Sequence, residues 1–116
     1  MRVQTLSMQD FIENLACAGP ASVFGKVIYV DVSANPVDHV DKRKASKFRV
    51  VIQASTVIEV EDGAEYILQV GEDCGYDYHD ASQEMVGTER ALDLKKELQD
   101  WCRRNGLTVR PGILSE

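Results

Sequence analysis

The stretch from Phe48 to Val70 alternates apolar and polar side chains so regularly that a β-hairpin is the fold it prescribes. Phe48, Val50, Ile52, Ala54, Ile58 and Val60 share one parity, and Arg49, Gln53, Ser55, Glu59 and Glu61 share the other. Successive side chains of a strand point to opposite faces, so this pattern predicts a strand with one face on a core. Tyr66, Leu68 and Val70 resume it beyond Asp62-Gly63. The connection then decides the register. A two-residue Asp62-Gly63 turn would set Val60 opposite Glu65 and mix apolar side chains across both faces. A three-residue Glu61-Asp62-Gly63 loop, with Gly63 left-handed in a bulge, pairs Val60 with Ala64 and Ile58 with Tyr66. It keeps the apolar face whole and is the expected form, since a slip of one residue would turn the entire strand over.

Helices flank the hairpin. Ser7 is an N-cap with Asp10 at the N3 position, and Leu6 and Phe11 have the spacing of a hydrophobic staple. Met8, Phe11, Ile12 and Leu15 form one apolar stripe, which Gly19-Pro20 ends. A second helix is expected from Asp80, with Gln83 completing a capping box, or from Thr88 after Gly87. Ala91, Leu94, Leu98, Trp101 and Cys102 recur at helical spacing up to the Asn105-Gly106 stop. Between the first helix and the hairpin, Ser22 to Ser33 reads as a strand apolar on both faces. Ala34 to Ser46 and Glu72 to Asp80 read as polar loops, and Leu107 to Arg110 is a candidate short C-terminal strand. The expected fold class is α+β, a single α-β-β-β-α domain over residues 1–116. Its sheet is an antiparallel meander with two helices on one face. A helix crossover would set the C-terminal strand parallel to the first, giving the order third, second, first, fourth.

At 116 residues the chain buries enough surface to hold a core without a disulfide or metal. Its 19 acidic and 13 basic side chains leave a net charge of -6, a field that repels polyanions. The order of elements resembles that of double-stranded-RNA-binding domains. Where those domains carry a lysine cluster at the start of the second helix, this chain reads Asp77-Tyr78-His79-Asp80-Ala81-Ser82-Gln83-Glu84. No nucleic-acid partner is expected. No membrane partner is expected either, because no apolar run approaches the ~20 residues of a membrane helix, and MRVQTLSMQDF contains neither a signal peptide nor an anchor. Cys17, Cys74 and Cys102 are odd in number and contain no CxxC pair, which argues against a zinc ribbon or disulfide framework and fits a reducing cytoplasm.

Two loops carry the residues best suited to chemistry. His39 lies within Asp38-His39-Val40-Asp41 and His79 within Asp77-Tyr78-His79-Asp80. Imidazole with carboxylate is a ligand set for a first-row metal, so Asp38, His39, Asp77, His79 and Asp80 are the candidate ligands of a weakly held divalent ion. No HxxxH or CxxC spacing accompanies them, and no other cofactor is indicated. Cys74 stands between Asp73 and Gly75, where acidic neighbours disfavour the thiolate a nucleophile requires. Lys42-Arg43-Lys44 reads as a solvated loop, and Tyr76 and Tyr78 as a candidate aromatic contact edge.

The back of the sheet gives the stronger functional expectation. Val51, Val57 and Ile67 interrupt the polar parity of the hairpin, and Tyr29 belongs to the second apolar face of the first strand. Contiguous apolar surface on a small sheet marks an interface. The expected function is therefore a non-catalytic binding or regulatory module, a homodimer or the receptor of a protein partner. The alternative is a small metal-dependent or general acid/base enzyme built on the two Asp-His loops.

Overall fold

The computed structural model describes residues 2–114. In chain order the elements are β1 (Arg2–Leu6), α1 (Met8–Ala18), β2 (Val27–Pro36), β3 (Lys47–Glu59), β4 (Glu65–Tyr78), α2 (Val86–Arg104) and β5 (Thr108–Pro111). The hairpin adopts the expected register. Ile58 pairs with Tyr66, the Val60 amide donates to the Ala64 carbonyl at 3.0 Å, and the Gly63 amide donates to Val60 at 2.8 Å. Gly63 has φ 81, a conformation that costs glycine little and other residues a good deal.

The sheet is mixed rather than an antiparallel meander, with strand order β1-β4-β3-β2-β5. The order differs from expectation by an N-terminal strand on one edge: β1 runs parallel to β4, pairing Arg2 with Tyr66 through Leu6 with Val70. On the other edge β5 runs parallel to β2, pairing Val27 with Thr108. The expected strand from Ser22 to Ser33 starts late. Pro20–Ser22 and Phe24–Lys26 are 3-10 turns, with positive φ at Gly25 and Lys26; Val23 between them makes one isolated bridge to Ile58, and the continuous strand runs from Val27 to Pro36.

Both helices lie on one face. Ser7 caps α1 as its sequence requires, its hydroxyl accepting from the Asp10 amide at 3.2 Å. Met8, Phe11 and Leu15 of α1 and Ala91, Leu98 and Cys102 of α2 form one cluster with the even-numbered side chains Val50, Ile52, Ala54 and Ile58 of β3. Burying an apolar side chain of this size contributes about 1.5–3 kcal/mol, which makes this layer the main source of stability. The stripe read from sequence is thus the stripe that packs. No helix among the described residues is long and apolar enough to cross a membrane.

Candidate functional site: the back of the sheet

The segment expected as a loop from Glu72 onward is strand as far as Tyr78, and a bulge explains how its polar residues are accommodated. Val50 stands opposite Gly75 while Val51 stands opposite Asp73, so Cys74 is an extra residue on β4. Gly75 takes φ 99 to make the bend. One added residue inverts the alternation that follows it. Leu68 and Val70 before the bulge, and Cys74 within it, are buried beneath the helices. After it, Asp77 faces inward opposite Phe48, while Tyr76 and Tyr78 face outward opposite Arg49 and Lys47.

On the inner side Asp77, 1% exposed, accepts the Thr88 amide at 2.9 Å and also the Thr88 hydroxyl. The first turn of a helix has amides without intrahelical partners and a dipole that favours an anion, so Asp77 caps α2 from the neighbouring strand. This corrects the expected cap. Asp80 instead closes a local turn, accepting from the Ser82 amide at 2.8 Å.

On the outer side the bulge assembles a basic and aromatic cluster. Lys47 Nζ lies 4.2 Å from the centroid of the Tyr76 ring and 5.8 Å from that of Tyr78. The Arg49 guanidinium is 5.2 Å from the Tyr76 centroid and donates to its hydroxyl. It also pairs with Asp73 at 3.3 Å. Ring faces attract cations through their quadrupole, so the two tyrosine rings hold the Lys47 ammonium in place. The other end of the same face is acidic. Glu59 and Glu65 stand directly opposite each other, both exposed, and neither has an ion-pair partner among the described residues. Like charges directly opposed across a ladder are destabilising.

Between the two ends lies a partly apolar middle. Val57 faces Ile67 across the hairpin, as the register required. Beyond β5 the chain crosses this face: the Gly112 amide donates to Val30 at 3.0 Å and the Leu114 amide to Ser55 Oγ at 2.7 Å. Ser55 is fully buried and Ile67 is 2% exposed. Ile67 is thus removed from the expected interaction surface of Val51, Val57, Ile67 and Tyr29, because it is covered within the chain itself. Val51, Val57 and Tyr29 remain half-buried. Val3, opposite Ile67, joins this apolar middle and is 44% exposed.

The two Asp-His loops do meet at one end of the sheet, through backbone rather than through their ligating atoms. The His79 amide donates to the Ser46 carbonyl at 2.7 Å, and the His79 ring packs against Phe48 with centroids 4.7 Å apart. Asp38 accepts from the amides and the hydroxyl of Ser46 and Lys47 at this corner, and the Ser46 hydroxyl holds its carboxyl below the usual carboxylate range. The Ser82 hydroxyl does the same for Asp80. His39 Nδ1 accepts from the Asp41 amide at 3.0 Å. Asp38 is thus committed to the Ser46–Lys47 corner, Asp77 to the start of α2 and Asp80 to its own turn. No three His, Cys, Asp or Glu side chains among the described residues converge in a way that could hold a metal ion.

The thiols offer little to nucleophilic chemistry. Burial pushes the Cys74 thiol up, with Glu72 adding to the effect, and burial pushes Cys102 up to about 11. Cys17, on α1, is exposed. In the loop before β3, Arg43 pairs with Asp41 at 3.3 Å and points its charge to solvent.

Sequence reading found the tyrosines but not their setting. The available signal was Gly75, since a glycine within a strand pattern marks a bulge. No family model, curated protein or solved structure matches this chain.

Proposed function

We propose that this chain is a non-catalytic protein-binding module that self-associates through the back of its sheet. The observation that carries this reading is one-sided coverage. Both helices pack on one face, whereas the other is crossed by residues 112–114 and keeps Val3, Tyr29, Val51 and Val57 partly in water. A small protein gains by covering such a surface, and a symmetric copy of itself is the commonest way. The odd cysteine count without CxxC spacing supports placing the module in the reducing cytoplasm.

Light scattering across a micromolar concentration series tests this reading. The expected result is a dimer whose population falls in Val57→Lys, which puts a charge into the apolar middle. A wild-type chain that stays monomeric at high concentration would overturn it.

A further inference from the structure

The back face is self-complementary in charge, and this selects how two copies meet. One end presents Lys47 and Arg49 beside Tyr76 and Tyr78, with Asp73 answering one of the two cations. The other end presents Glu59 and Glu65, directly opposed. Arg49 and Glu59 are about 33 Å apart along an extended strand. That separation exceeds the Debye length of roughly 8 Å at physiological salt, so the two ends cannot neutralise each other within one copy.

We propose that two copies pack back to back with their strands antiparallel, so that Glu59 and Glu65 of each copy rest on Lys47 and Arg49 of the other. The inference rests on the self-association proposed above and adds its geometry. Two closed arrangements bring the faces together. An axis along the strands would set Arg49 over Arg49 and Glu59 over Glu59, which repels at both ends. An axis across the strands sets Arg49 over Glu59 twice, and the like-charge opposition of Glu59 and Glu65 is relieved by the cations of the other copy. The axis then passes near Ala54 and Ser55, the midpoint of the charged span. Ser55 is where residues 112–114 are anchored by the Leu114 amide, so these segments of the two copies meet at the axis. The area is sufficient: the molecule measures 54 × 27 × 19 Å, and a stable interface of ~800 Å² per copy needs roughly half of its broad face.

The test is a charge exchange followed by ultracentrifugation. One variant carries Lys47→Glu and Arg49→Glu; the other carries Glu59→Lys and Glu65→Lys. Each alone should dimerise at least about tenfold more weakly than wild type, since like charges then meet at both ends. An equimolar mixture should recover a heterodimer, because the four exchanged positions again meet opposite charges, and that recovery also shows that both variants fold. High salt should weaken the wild-type dimer in parallel. A monomeric wild type would overturn self-association itself. A wild-type dimer that both variants form equally well would overturn this arrangement and leave self-association standing.

Discussion

Replacing Asp77 by alanine removes the carboxylate that reaches the first turn of α2 from β4, and the structure sets the size of the loss. Asp77 is 1% exposed and accepts both the amide and the hydroxyl of Thr88. Loss of a capping side chain costs about 1–2 kcal/mol. Leaving a buried donor without a partner adds about 1–3 kcal/mol. Thr88 is half-buried, so water recovers part of that second cost, and the net effect is placed at about 2–3 kcal/mol. This is a large share of the roughly 5–15 kcal/mol that holds a domain together. In urea, with m about 1–3 kcal/mol/M, the midpoint should fall by about 1–2 M. Thermal unfolding should come about 8–12 °C earlier. Asp77→Asn keeps one acceptor for the Thr88 amide and should lose about half as much. Asp80→Ala is the informative control, because Asp80 is exposed and serves only its local turn; it should stay within about 0.5 kcal/mol of wild type. If Asp77→Ala costs no more than Asp80→Ala, α2 is not capped from β4 and the inversion of β4 after the bulge is wrong.

Two further outcomes follow from packing. A Cβ on Gly87 would sit 2.8 Å from Val50 Cγ2 and 2.9 Å from the Gly75 carbonyl oxygen, so Gly87→Ala should lose about 1–3 kcal/mol in a denaturant titration. A gain, as helix propensity alone would give, refutes the close approach of α2 to the bulge. With a thiol reagent at neutral pH, exposed Cys17 should react at once, while buried Cys74 and Cys102 wait for opening of the fold. Three thiols reacting at one rate in the native protein would contradict this burial.

The parts of the fold that show in the sequence are those governed by local pattern. The hairpin was readable because eleven alternating positions and one glycine leave a single register that keeps Val60, Ile58, Ala64 and Tyr66 together. The first helix was readable because Ser7 and Asp10 act within four residues of each other. The start of α2 was not, because its cap comes from Asp77, eleven residues earlier and on another element. β1 is short, and its only reason to extend is a partner far along the chain, which leaves no local mark. The end of β4 looked like a loop because its polar residues obey an alternation that Cys74 has shifted by one. The length of β3 contained the correction: a strand that begins at Lys47 needs a partner near Tyr78. Of the candidate site, Val51, Val57 and Tyr29 were legible by parity. The pairing of Lys47 and Arg49 with the tyrosines became visible only when the bulge set their common face.

The parallel pairing of β1 with β4 also imposes an order in time. A chain made from its N-terminus produces β1 and α1 long before residues 66–70, the strand segment on which β1 is seated. At translation rates of ~5–20 residues per second the wait is roughly 3–12 seconds. α1 has 11 residues, below the length at which a helix persists alone in water. Met8, Phe11 and Leu15 therefore leave the ribosome well before β4 exists to cover them, and α1 settles only after β4 has been made.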